Sequence, residues 1–302
     1  MLLRFFYGVV LLVSACSAHA RVTPWIDFEL KGGHISFPVT VSGHPTYAVL
    51  DSGAQLNAIN KAFIGKHELD YTRVGKINIK GVFGKKKQNK LSNIPVGIFG
   101  VTMELDNVAE ISLGHNSKGL LLGAPLFNGN IIQIDYPGHK LRLISRELIN
   151  LRELKNVTMV EQRGSGMPLV QVKLNGRNVW LILDTGNSGG IMIERSLAEG
   201  LGLTNARNEV RINGGATKMA NVEHTRVKEV EFGPFTLENV LVSFNAEGSS
   251  INLNNQYSET GSRIKGKRVV GLIGYDVLKH FVLTMDYGRG QMHVGLPAQD
   301  SE

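Results

Sequence analysis

The chain repeats itself, and that repeat limits its fold more than any other feature. The stretch from Phe37 through Leu50 to Asp51-Ser52-Gly53 runs alongside Val170 through Leu183 to Asp184-Thr185-Gly186 at a constant offset of 133 residues, without a gap. Each copy alternates apolar and polar residues, turns at Gly43 or Gly176, and alternates again through Tyr47 or Trp180, which is the pattern of a β-hairpin. A second pair of blocks follows. Leu121-Leu122-Gly123 leads to Asp135-Tyr136, and Leu272-Ile273-Gly274 leads to Asp286-Tyr287, with 12 residues from glycine to aspartate in both. These read as a buried strand, a short helical turn and another strand. Between the two blocks, Phe99-Gly100 through Asp106-Asn107-Val108 is echoed by Phe232-Gly233 through Glu238-Asn239-Val240. A period of two with few long helices predicts an all-β chain with minor helices, built as two related lobes of about 130 residues.

An aspartate placed directly after an apolar strand and before a glycine turn is held rigidly while its tip stays accessible. Two of them in equivalent positions predict a pseudo-twofold arrangement in which Asp51 and Asp184 meet. At close range both cannot ionise, so the pair shares a proton and offers a general base and a general acid together. The competing structural explanation is that each aspartate only caps its own turn.

The first twenty residues read as an export leader: Arg4 is their only charge, an apolar run follows, and Ala18-His19-Ala20 gives a small-x-small cleavage pattern. Cys16, the one cysteine, follows Val13-Ser14-Ala15, which resembles a lipobox, so a lipid anchor at Cys16 is the alternative to cleavage after Ala20. The expected product is exported, periplasmic or secreted, or else an outer-membrane lipoprotein. No apolar run is long enough to span a bilayer. Domain boundaries are expected at 1–20 for the leader, 21–155 for the first lobe and 156–302 for the second. At the seam, Arg146 to Lys155 reads as a short amphipathic helix and Gly164-Ser165-Gly166 as a flexible joint.

Composition removes several function classes. With 42% hydrophobic and 20% charged residues the chain is not a disordered one. The net charge of +7 has a conspicuous local source, Lys85-Lys86-Lys87-Gln88-Asn89-Lys90, which reads as a solvated loop. The run lacks the interleaved aromatics of a nucleic-acid site, and no nucleic-acid partner is expected. Nine histidines without paired spacing predict no metal site. Asn156-Val157-Thr158 spells a glycosylation sequon, read here as chance.

The duplicated Asp51-Ser52-Gly53-Ala54 and Asp184-Thr185-Gly186, each followed by its hydrophobic-hydrophobic-glycine block, resemble the pepsin and retropepsin-like aspartic peptidases, most of all bacterial members with two retropepsin-sized lobes in one chain. The resemblance spans roughly residues 34 to 295. It implies two acid-protease-like lobes with a cleft between them, peptide or protein as substrate, and no cofactor. It also implies that Asp51 and Asp184 are catalytic, that Ser52 and Thr185 brace the lobe junction through their hydroxyls, and that Gly53 and Gly186 let the backbone approach the carboxylates. A flap is expected at Gly81-Val82-Phe83-Gly84, with Phe83 in place of the pepsin tyrosine and the lysines beside its tip; Gly214-Gly215-Ala216 is the matching region of the second lobe. Two departures stand out: Ala54 and Asn187 occupy the positions where pepsins carry Ser or Thr. Two alternatives accompany this reading. One is an inactive peptide-binding module on the same fold. The other is a serine hydrolase, because Gly186-Asn187-Ser188-Gly189-Gly190 fits G-x-S-x-G with His224 or His280 as base.

Overall fold

The computed structural model describes residues 22–81, 84–161, 166–205, 208–213, 219–249, 251 and 266–297. The leader with Cys16, the Val82-Phe83 centre of the expected flap, Gly164-Ser165 and Gly214-Gly215-Ala216 lie outside these residues. In the first half the elements are β1 (Ile26–Asp27), β2 (Glu29–Lys31), β3 (His34–Val41), β4 (His44–Leu50), β5 (Ala58–Asn60), α1 (Lys61–Lys66), β6 (Thr72–Gly81), β7 (Gly84–Ser92), β8 (Ile94–Ile98), β9 (Val101–Leu105), β10 (Val108–Ile111), β11 (Lys118–Leu122), α2 (Ala124–Phe127), β12 (Ile131–Asp135) and β13 (Lys140–Ile144). The second half contains α3 (Leu151–Leu154), β14 (Val157–Glu161), β15 (Pro168–Leu174), β16 (Arg177–Leu183), β17 (Ile191–Ile193), α4 (Arg195–Gly200), β18 (Asn208–Asn213), β19 (Met219–Phe232), β20 (Phe235–Asn245), β21 (Val269–Ile273), α5 (Tyr275–Leu278), β22 (Val282–Asp286) and β23 (Gln291–Gly295). The fold is all-β with short helices, as the period-two pattern requires.

The two halves pair their strands in corresponding registers. Hairpin β3/β4 closes with Val41 opposite His44, and β15/β16 with Leu174 opposite Arg177. Both turns are two residues long, Ser42-Gly43 and Asn175-Gly176, with all four φ angles positive. That is the turn whose twist matches the flanking strands, and Gly at its second position accepts the left-handed backbone without strain. Strand β4 then lies parallel to β11, and β16 parallel to β21, each with one register break. Parallel pairs β10/β5 and β17/β20 follow. The C-terminal ends of β4, β11, β16 and β21, where these parallel pairs lead to the aspartates, are apolar, and Leu50, Leu120, Leu181 and Ile273 are fully buried.

The halves join in one sheet. Strand β12 runs antiparallel to β22, with Ile132 opposite Met285, Gln133 opposite Thr284 and Ile134 opposite Leu283. Gln133 and Thr284 are equivalent positions in the repeated blocks, so the register reads the same from either side, and the Gln133 amide donates to the Thr284 hydroxyl at 2.9 Å. The core is continuous across this seam: Phe127 packs on Tyr287 with ring centroids 5.5 Å apart, and Tyr136 on Tyr275 at 6.2 Å.

Two local expectations are corrected. The helix expected over Arg146 to Lys155 is confined to α3, because Arg146 is drawn into a bidentate pair with buried Asp286 (2.8 and 2.6 Å) and also donates to the Asn128 carbonyl. The tertiary ion pair overrides the local helical pattern. The lysine run is not a loop; it lies within β7, paired with β6 from Thr72↔Ser92 to Gly81↔Gly84. Asn156 of the sequon is engaged by β23, donating to the Val294 carbonyl and accepting from the Val294 N–H, both at 2.8 Å.

Candidate active site

Each aspartate is positioned by its strand and by the strand parallel to it. The Asp51 N–H donates to the Leu122 carbonyl at 2.9 Å, and the Asp184 N–H to the Ile273 carbonyl at 3.0 Å. Tight turns follow, with Ala54 N–H on the Asp51 carbonyl and Asn187 N–H on the Asp184 carbonyl, both 3.2 Å. These turns aim two N–H groups back at each carboxyl: Gly53 and Ala54 at Asp51, Gly186 and Asn187 at Asp184. The Gly186 bond to Asp184 Oδ1 is 2.9 Å. Backbone therefore supplies the support at Ala54 and Asn187 where a hydroxyl side chain is missing. The Asn187 side chain instead closes its own loop, donating to the Gly190 carbonyl and accepting from the Gly189 N–H.

The two loops interlock through Ser52 and Thr185, both buried. The Ser52 N–H donates to Thr185 Oγ1 and the Thr185 N–H to Ser52 Oγ, each at 2.9 Å. Each hydroxyl in turn donates to the other half: Ser52 Oγ to the Leu183 carbonyl at 2.6 Å and Thr185 Oγ1 to the Leu50 carbonyl at 3.0 Å. Four bonds thus use the N–H and the hydroxyl of both residues, and neither loop can shift without breaking bonds to the other. The glycines permit the approach. A Cβ on Gly53 would stand 2.6 Å from Asp184 Cγ, and one on Gly186 would strike the Asp51 carboxyl.

Asp51 and Asp184 are brought together and hydrogen-bond each other. Burial pushes the Asp51 carboxyl above the usual carboxylate range. Burial first, and then the charge of Asp51, push Asp184 well above it. Both carboxyls are thus held toward the neutral form, and a proton is shared between them as a pair. Such a couple can accept a proton at one oxygen and deliver one from another.

Three residues to which the sequence assigned no role at the site lie near the loops. His34, at the start of β3, donates to the Gly186 backbone; its Nδ1 is buried without a partner, and burial followed by the nearby Lys118 charge holds its pKa down. Below the pair, Tyr287 donates to the Ser52 carbonyl at 3.4 Å. Tyr136, its counterpart in the repeat, is buried with an unpartnered hydroxyl. Both tyrosines were visible in the Asp-Tyr ends of the repeated blocks; His34 left no sequence signal.

Gly81 and Gly84 face each other at the end of hairpin β6/β7, whose central two residues lie outside the described set. Ile77 and Ile79 pack this hairpin on the cluster of Ala58, Ala109 and Ile111, on which Leu121 also packs; Leu121 pairs with Val49, two residues before Asp51. Ser188 is exposed, and among the described residues no hydrogen bond joins it to a histidine; His280 is on the surface beside Phe281. Among the described residues no group of three or more His, Cys, Asp or Glu could hold a metal ion.

Residues 170–277 match the family model of aspartyl proteases. The match takes in hairpin β15/β16, Asp184-Thr185-Gly186 and the Leu272-Ile273-Gly274 block, so over this stretch the chain is similar to that family. A search of curated proteins finds no match to the chain.

Proposed function

We propose that the protein is an aspartic endopeptidase with two equivalent lobes, residues 21–155 and 156–302, whose catalytic pair is Asp51 and Asp184. The observation that carries this reading is the hydrogen-bonded carboxyl pair held by the reciprocal Ser52/Thr185 bonds, a geometry that strands 133 residues apart serve jointly. In the proposed reaction a water bound between the carboxyls attacks the peptide carbonyl. The ionised carboxyl of the pair takes the water proton, and the protonated one gives its proton to the carbonyl oxygen; collapse of the tetrahedral diol then releases the amine with a proton returned from the pair. Gly53, Gly186, Ser52 and Thr185 act as positioning residues. Similarity of residues 170–277 to aspartyl proteases supports a hydrolase. The leader pattern of residues 1–20 supports export as the setting in which it works.

The test is incubation of the purified protein with a diverse peptide mixture over a range of pH. Cleavage that a statine-type peptide blocks and a sulfonyl fluoride does not is the expected result. Tight peptide binding without cleavage at any pH would overturn the enzymatic reading, and sulfonyl fluoride inactivation would redirect it to Ser188.

A further inference from the structure

Hairpin β6/β7 carries the charge of the whole chain. Residues 72–92 hold Arg73, Lys76, Lys80, Lys85, Lys86, Lys87 and Lys90 and no Asp or Glu, and these seven cations equal the formal net charge of +7. Elsewhere acidic and basic residues balance. Lys76, Lys86 and Lys87 are exposed and Lys90 half-buried. Among the described ion pairs, none involves these four lysines.

Protection of a sheet edge is the first explanation to weigh, since β6 ends the ten-stranded sheet and lysines discourage edge pairing. It does not account for the placement. Four of the seven cations lie on β7, which is paired to β6 along its length and to β10 at Lys90 and Leu91. The opposite edge, β9, is left with Val101 and Met103 exposed. The pairing instead sorts the charge by face. Lys86 lies opposite Ile79, and Gln88 opposite Ile77, so Lys86 and Lys90 share the face through which Ile77 and Ile79 pack on the Ala58, Ala109 and Ile111 cluster, on which Leu121 beside the Asp51 strand also packs. Lys76 and Lys87 lie on the other face.

From this placement we infer that hairpin β6/β7 is a docking surface for acidic polypeptide, and that the peptides this protein acts on carry clustered Asp or Glu beside the segment that reaches Asp51 and Asp184. The inference rests on the peptidase reading for its consequence but not for the binding itself. A one-sign field beside a site raises the local concentration of oppositely charged ligand and speeds its encounter. An acidic polypeptide is favoured over a lipid surface because the cations occupy both faces of a hairpin that joins, through β10 and β5, the sheet carrying the Asp51 strand, rather than one flat outer face.

The test separates binding from cleavage. Fluorescent peptides with Glu, Ser or Lys on both sides of an apolar centre are titrated against Asp51→Asn protein by anisotropy, at low and high salt, with and without Lys76, Lys86, Lys87 and Lys90 changed to Ser. Thermal unfolding checks that the variant folds, and Lys87→Glu alone, at an exposed position, serves as a second variant. The Glu peptide is expected to bind roughly tenfold more tightly than the Ser peptide, with the ratio falling toward one in the lysine variant and as salt shortens the Debye length below about 8 Å. Equal binding of Glu and Ser peptides would overturn the assignment, as would binding to phosphatidylglycerol vesicles without a Glu preference. Lysine-dependent binding of the Glu peptide together with absence of cleavage by the unmodified protein would sustain the docking surface and remove the peptidase reading alone.

Discussion

The loops around Asp51 and Asp184 have nearly the same backbone but different neighbours. Each aspartate is fixed by a parallel strand, receives two backbone N–H groups and exchanges two bonds with the opposite loop. Around that frame the match ends. The Asp184 loop is touched by His34, and the Asp51 loop by the Tyr287 hydroxyl, while Tyr136, placed to mirror Tyr287, bonds nothing. The backbone frame makes the two carboxyls geometrically equivalent; the neighbours and the shared proton make them chemically distinct. A symmetric scaffold can thus carry an asymmetric pair without any asymmetry in the strands that hold it.

Replacement of the carboxyls breaks the comparison most severely. Asp51→Ala and Asp184→Ala are each expected to lower turnover of a cleaved peptide by about a thousandfold or more, with the double variant no worse, because the pair acts as a unit. Stability should move the other way. A carboxyl whose folded pKa is raised contributes most below its unfolded pKa, and that contribution is lost as pH rises through the folded value. Asp184→Asn is therefore expected to unfold at a higher temperature than the unmodified protein at neutral pH, with the gain vanishing in acid.

Next come the glycines. Gly53→Ala drives a methyl into Asp184 and Gly186→Ala one into Asp51, so each is expected to abolish most activity. If the loops are equivalent, the two losses should agree within about tenfold, a difference of roughly 1.4 kcal/mol. The hydroxyl brace should follow. Thr185→Val leaves the Ser52 N–H and the Leu50 carbonyl without partners and Ser52→Ala does the same to Thr185 and Leu183, each costing about 2–4 kcal/mol by denaturant unfolding.

The smaller effects sharpen the asymmetry. His34 is held below its ordinary pKa, so its contribution is present at neutral pH and is lost as pH falls through the unfolded value toward the folded one. The groups bearing on it are Lys118 of β11 and the Asp184 loop through Gly186. His34→Gln, which keeps a donor but does not titrate, should flatten the acid-side fall in melting temperature, and in a pH–rate profile it should extend the acid limb downward; a superimposable profile would reduce His34 to packing. The least effect is expected at the tyrosines. Tyr136→Phe removes an unpartnered buried hydroxyl and should be neutral or stabilising by about 1 kcal/mol, whereas Tyr287→Phe removes a bond and should destabilise by about as much.

Much of this was legible because it follows from chain-local chemistry repeated twice. The hairpins, their turns at Ser42-Gly43 and Asn175-Gly176, and the all-β class follow from alternation and turn residues. The meeting of Asp51 and Asp184 was expected only because the same spelling recurred at one offset. What the sequence concealed depends on contacts between distant segments. His34 begins an ordinary strand, and only folding sets it against Gly186. The helix expected from Arg146 onward shrank to α3 because Asp286, far along the chain, claims the guanidinium. The lysines looked like a loop because seven cations on a hairpin disfavour pairing, and the inward anchors Ile77 and Ile79 outweigh that repulsion.

The reciprocal bonds between Ser52 and Thr185 also govern timing. During synthesis, a chain extended only through Leu143 holds one carboxyl of the pair, and its Ser52 hydroxyl and N–H have no Leu183 or Thr185 to meet. That fragment lacks the second carboxyl with which Asp51 shares its proton on the proposed reading. The capacity to cut, on the proposed reading, therefore comes into being late in synthesis, once Asp184-Thr185-Gly186 has been made and β22 has closed the seam with β12.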